Sequence, residues 1–175
     1  SMEASNLYHE AMYLNNIYMG DKAKVKLEEA VKIDPDFGAA FIMLSTFGSN
    51  SVSETDTYYE KALSLKSKMN DVEKCFLEIR SSYRNDDIKT RMQASERLID
   101  LLPENAIAHE RMAYTQYEMA NIKDSRNSAL KAIELDRYYS PAYSILVNSY
   151  TFNEPKSFEE AEKYAKLVLA FNKDR

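Results

Sequence analysis

Cysteine, glycine, proline and tryptophan are scarce in this 175-residue chain, which has one Cys, three Gly, four Pro and no Trp. A single thiol, Cys75, cannot close an intramolecular disulfide and leaves the redox compartment open. So few glycines and prolines leave too few tight turns for a sheet-rich fold. Three isolated glycines also exclude a Gly-rich phosphate loop. No run approaches the roughly 20 apolar residues of a membrane-spanning helix. A basic excess is missing too. The net charge of -5 argues against a nucleic-acid role, because phosphate contacts need a basic surface.

What is present suits a globular chain. Hydrophobic residues make up 45% and charged residues 29%, with 8 Met and 13 Tyr. The length allows one domain with a sizeable core. Ser1 ahead of Met2 has the look of a tag-cleavage remnant, so a trimmed leader segment is consistent with the sequence.

Internal similarity is the strongest signal. "KIDPDFGAAF" (32–41) has relatives in "DLLPENAIAH" (100–109) and "IELDRYYSPAY" (133–143). Pro35 and Pro103 lie 68 residues apart, and Asp34 and Asp136 lie 102 apart, two and three times a period of 34. Such a period belongs to a helix–turn–helix unit. Local signals agree. Ser140-Pro141 reads as an N-cap with Pro at the first helical position. Ser157 with Glu160 reads as a capping box, and Asn70 with Glu73 and Asn105 as further caps. "GSNSVSETD" (48–56) reads as a loop, and Asp36 as the cap of the helix after Pro35. Helices are expected near 4–19, 21–33, 37–48, 54–69, 71–84, 87–102, 105–120, 122–136, 139–152 and 157–171.

The chain resembles a tetratricopeptide repeat (TPR) array. The family pattern places an aromatic, a Leu, a small residue and a Tyr in the first helix, then an Ala, then Pro at the exit. The last unit follows it with Tyr143, Leu146, Val147, Tyr150 and Ala161. The second has Phe41, Leu44 and Ser45, and the first has Ala11, Ala23, Leu27, Ala30 and Pro35. The fourth has Met112, Ala113, Ala132 and Leu135. In the third, Cys75, Glu78 and Ile79 depart from the pattern. The resemblance implies an all-α fold, a right-handed superhelical α-solenoid of about ten helices in antiparallel pairs. It implies a single TPR-like domain over 1–175, in units near 4–37, 38–70, 71–105, 106–139 and 140–173. It is also loosely similar to bacterial TPR-containing proteins, many of them exported, which keeps a cytoplasmic and a periplasmic location both open.

No catalytic set emerges. His9 and His109 lie 100 residues apart, and no HExxH, CxxC or paired-His spacing exists. Cys75 and His109 fall where the family carries a buried aromatic, so both are expected in the core. Acidic stretches such as "FEEAEK" (158–163) read as solvated helix faces. Neither a cofactor nor a metal is expected, and intrinsic enzymatic activity is not.

The resemblance implies instead a concave groove lined by the first helix of each unit. Carried over by position, it takes Tyr8, Met12, Ile42, Phe76, Arg80, Tyr83, Arg84, Glu110, Tyr114, Tyr117, Asn148 and Phe152. Tyr, Phe, Met and Arg are types enriched at protein interfaces. TPR domains that clamp chaperone-tail carboxylates use Lys, Asn and Arg at positions held here by Glu110, Tyr114 and Ile145, so that clamp does not carry over. Arg80, Arg84, Lys89 and Arg91 form a local basic cluster, read as an ion-paired surface with an acidic peptide as the alternative. At the C-terminal end no polar capping helix follows "LVLAFNKDR", and Tyr164, Leu167, Val168 and Phe171 are expected as an exposed apolar stripe. The expectation is a protein- or peptide-binding module, with self-association into a homodimer through that stripe as the alternative.

Overall fold

The computed structural model describes residues 1–173. All regular structure among them is helical. The period of the sequence is visible as a turn that recurs where one helical hairpin ends and the next begins. After α2 (Gly20–Ile33), the Asp34 N–H donates to the carbonyl of Ala30, and the Asp34 carboxylate accepts the Asp36 N–H at 3.2 Å. The Phe37 N–H then closes on the Asp34 carbonyl at 3.1 Å. After α8 (Ile122–Leu135) the same bonds recur: Asp136 donates to Ala132, its carboxylate accepts Tyr138 N–H at 2.9 Å, and Tyr139 N–H reaches the Asp136 carbonyl at 3.0 Å. An aspartate therefore ends the helix and shapes the turn with one side chain. After α6 (Ile88–Leu101), Leu102 holds the equivalent place and keeps only the backbone bonds, to Leu98 and from Asn105.

Inside two hairpins the turn is left-handed. Tyr18 (φ 61°) and Ala120 (φ 58°) let the next N–H reach back five residues, Met19 to Leu14 and Asn121 to Gln116, each at 2.9 Å. Glycine is the usual occupant of such a site, and neither position has one.

The chain forms two compact units, Ser1–Asn85 and Asp86–Arg175. In the first, α1 (Met2–Asn16) pairs with α2, α3 (Gly38–Leu44) pairs with α4 (Val52–Ser64), and α5 (Asp71–Arg84) lies against α3. A 3-10 turn, Lys66–Lys68, follows α4. In the second, α6, α7 (Ala106–Glu118), α8, α9 (Ser140–Phe152) and α10 (Phe158–Lys173) pack in succession, with α7 also against α9. Alanines sit at the crossings: Ala11, Ala23, Ala40 and Ala62 are fully buried in the first unit, and Ala113, Ala129 and Ala132 in the second. Leu27, Leu44 and Leu77 fill the first core, and Tyr143, Leu146, Tyr164 and Phe171 the second. Gly38 allows Met69 to lie on α3, since a Cβ there would stand 2.5 Å from the Met69 Cε.

Four local expectations change. The helix read as 37–48 stops at Leu44, because Ser45 and Thr46 turn their hydroxyls onto Ile42 and Met43 carbonyls at 2.7 Å. Asn50 takes the Leu44 carbonyl in the same way. The segment read as a loop instead starts α4 at Val52, through a reciprocal capping box between Ser51 and Glu54. Asp36 caps nothing and pairs with Lys68. Ser140 lies inside α9, one residue past the cap position held by Tyr139. The caps at Asn70, Asn105 and Ser157 form.

Two substitutions separate the turn from the core. Ala120→Gly should stabilise the protein by about 0.5–1 kcal/mol by relieving the left-handed backbone. Leu27→Ala should cost about 2–5 kcal/mol through the cavity it leaves. Urea titration followed by circular dichroism reads both, and a lowered midpoint for Ala120→Gly would contradict the strain argument.

Candidate functional site

Helices α1, α3 and α5 of the first unit carry the groove residues expected there. Tyr8 is half-buried with its ring 5.1 Å from Phe37, and Met12 beside it on the helix is half-buried as well. Ile42 is buried in the core and presents no surface, which corrects its assignment as a groove residue. Its helix packs on both sides within the unit, against α4 and α5. Phe76 and Tyr83 on α5 are half-buried.

Arg80 and Arg84 stand one turn apart on α5 and behave differently. The Arg80 Nε donates to the Ser45 hydroxyl at 3.0 Å and its Nη2 to the Ser45 carbonyl at 2.5 Å, tying α5 to the end of α3. Burial, then the Arg84 charge, lowers the Arg80 guanidinium from its ordinary value, with Tyr59 acting in the other direction. Arg84 is exposed, stacks over the Tyr59 ring at 4.5 Å and pairs with Asp56.

In the second unit α7 and α9 carry the remaining groove residues. Tyr114 is 40% exposed and Phe152 69% exposed, while Tyr117 is half-buried and Asn148 exposed. Burial pushes the Tyr114 phenol up, with Glu118 and Glu110 adding to it. Glu110 is not an open groove residue. It is buried, because its turn of α7 faces the packed interior rather than water. Arg91, read as part of a surface cluster with Arg80, Arg84 and Lys89, is buried on α6 and ion-paired with Glu118. Lys89 is exposed.

The C-terminal stripe divides. Tyr164 and Phe171 turn inward, where Phe171 lies 5.5 Å from Tyr143 and Tyr164 stacks on Tyr150 at 6.1 Å. Val168 packs partly against the same core, and Leu167 is exposed. The expectation that all four are offered to solvent is therefore corrected, because α10 uses its aromatic face to close the second core. Leu169 and Phe158, which periodicity did not single out, are the more exposed apolar side chains of that helix.

A residue with no sequence signal organises the α9–α10 connection. Arg126 of α8 is buried, and its Nε donates to the Ser149 hydroxyl at 3.1 Å. Its Nη2 reaches the carbonyls of Ser149 (2.7 Å), Asn153 (3.2 Å) and Pro155 (3.0 Å), and the guanidinium stacks over Tyr150 at 3.9 Å. Those partners lie 23 to 29 residues further along, beyond any local motif. Phe152 and Phe158 flank the segment it holds.

Cys75 is buried in the first unit. His109 is only half-buried and turns its Nε2 to the Pro103 carbonyl at 2.8 Å, so it is not the core residue expected. His9 bonds through Nδ1 to the Ser5 carbonyl at 2.7 Å. Among the described residues no three His, Cys, Asp or Glu side chains gather as a metal site, and no helix is long and apolar enough to cross a membrane.

No protein-family model matches the sequence, and no curated protein matches it significantly. Solved structures do match its fold. One, described as the MamA RS-1 ArsTM double mutant, is 12% identical with a TM-score of 0.53, over 99% of this chain and 97% of that one. A crystal structure of MamA protein is 17% identical with a TM-score of 0.52, covering 99% and 94%. YrrB, described as a TPR protein with an unusual peptide-binding site, is 15% identical with a TM-score of 0.52, covering 97% and 86%. The fold is thus TPR-like, an all-α solenoid of helical hairpins.

Replacing Arg126 by Ala should cost about 2–4 kcal/mol, since it strips a buried, charge-assisted cluster from three carbonyls. Arg126→Lys should recover little, because a point charge cannot reproduce the planar fork or the stack on Tyr150. Chemical denaturation of the two variants against wild type measures this, and full recovery by Lys would refute the geometric account.

Proposed function

We propose that this chain is a protein-interaction module that binds a peptide or protein segment along the first helices of its hairpins, without chemistry of its own. The observation that carries the reading is the exposure of Tyr114 and Phe152 on α7 and α9, large side chains at the positions a TPR groove uses. Burying such anchors in a partner supplies most of the energy of an interface. Tyr8, Met12, Phe76, Tyr83, Arg80 and Arg84 offer a mixed apolar and cationic surface in the first unit, and Tyr117 and Asn148 complete the second. YrrB, which shares the fold, is a TPR protein with a peptide-binding site, and that supports the same use here.

A second reading is self-association through α10. Exposed Leu167 and Leu169 favour it, and the inward turn of Tyr164 and Phe171 removes two of its four expected contacts. Sedimentation of wild type and Leu169→Glu addresses it directly. A dimer dissolved by the substitution would establish that reading, and a monomer at high concentration would end it.

The groove reading is tested with a displayed peptide library. Enriched peptides should bind wild type and lose about 30-fold or more in affinity when Tyr114→Ala and Phe152→Ala are combined, corresponding to roughly 2 kcal/mol. Peptides bound equally by the double variant, with helicity retained, would place the surface elsewhere.

A further inference from the structure

The second unit encloses a carboxyl with one oxygen that no hydrogen bond reaches. Glu110, in the second turn of α7, is 5% exposed, and its Oε2 is buried without a hydrogen bond. The Nε of Arg111 stands 3.3 Å from that oxygen but is not aligned to donate, and the Arg111 side chain is partly in water. Buried Tyr139, just before α9, feels the Glu110 charge, which adds to burial in pushing its phenol up. A buried carboxylate with an oxygen that no donor meets is costly, and a buried neutral carboxyl much less so. Burial accordingly pushes the Glu110 carboxyl up, with Arg111 pulling the other way.

The other titratable groups around it bring no further positive charge to that oxygen. On α7, Glu118 is committed to Arg91 of α6, and the Tyr114 phenol, raised by burial, brings no positive charge. At the end of α8, Asp136 acts on Tyr139 with the same sign as Glu110. Tyr143 of α9 donates its hydroxyl to the Arg137 carbonyl.

We propose that Glu110 is a proton-operated latch between α7 and the turn leading into α9, quiet when neutral and forcing that contact toward water when ionised. Because α7 also carries Tyr114 and Tyr117, the latch acts on the same helix as those side chains. The direction in pH follows from linkage. The folded chain keeps this proton longer than the unfolded chain, so the contribution is most favourable at low pH. It is lost as pH climbs from the ordinary glutamate value through the raised one.

Two measurements on the full chain test it. In a carboxyl-carbon NMR titration, the Glu110 signal should turn over at higher pH than the other glutamates. In thermal denaturation from pH 4 to 8, Glu110→Gln should gain on wild type as pH rises, by about 3 °C or more. Amide exchange in α7 should rise with pH in wild type, beyond its intrinsic pH dependence, and not in the variant. A titration midpoint in the ordinary glutamate range overturns the proposal, as do parallel melting curves across that interval. Should Glu110→Gln fail to fold, the titration of wild type decides alone.

Discussion

A pair of short helices joined by a tight turn cannot hide its apolar face alone, and everything in this protein follows from the need to hand that face to a neighbour. Alanine at the crossings is what lets the exchange occur, because Ala11, Ala23 and Ala40 in one unit and Ala113, Ala129 and Ala132 in the other leave room for close approach. The larger side chains then interlock beside the crossings. Where the chain must leave one hairpin and start the next, Asp34 and Asp136 spend a carboxylate on the turn, so the apolar pattern restarts in the right register.

Two arginines reinforce this arrangement in a way apolar packing cannot. Arg80 and Arg126 each carry a charge inward and end on a serine hydroxyl and its carbonyl, at Ser45 and Ser149. Both serines also return their hydroxyls to a carbonyl three residues back in their own helix. A buried guanidinium is tolerable only when its donors are met, and these helix ends supply acceptors at the right place. The arginine therefore does two things: it satisfies the helix end and fixes a neighbouring element against it.

How far the sequence spoke depended on how local each signal was. The caps at Asn70, Asn105 and Ser157 depend on neighbours within a few residues, and the 34-residue period on a short local pattern that recurs, so both could be read directly. The early end of α3 could not, because Ser45 and Thr46 read as ordinary continuation until their hydroxyls are seen on carbonyls. The Ser51–Glu54 capping box was legible in principle, but it lay hidden in a stretch whose serines suggested a loop. At the surface, family position identified Tyr114 and Phe152 but also Ile42 and Glu110, which lie inside. Position along a helix fixes a direction. Whether that direction ends in water depends on what packs there, and this is a property of distant residues. Arg126 and the inward turn of Phe171 belong to the same class.

The grip of Arg126 has a further consequence for how the molecule meets proteases. Phe152 and Phe158 are the kind of exposed aromatic that chymotrypsin-like enzymes prefer, at 69% and 70% exposure, on either side of a short connection. Cleavage requires the main chain around the bond to straighten into the enzyme, free of its own hydrogen bonds. Here the carbonyls of Asn153 and Pro155 are held by Arg126, and the N–H of Ser157 by the Tyr150 carbonyl. The side chains advertise a cleavage site that the backbone withholds, so a cut in this connection marks the moment Arg126 lets go.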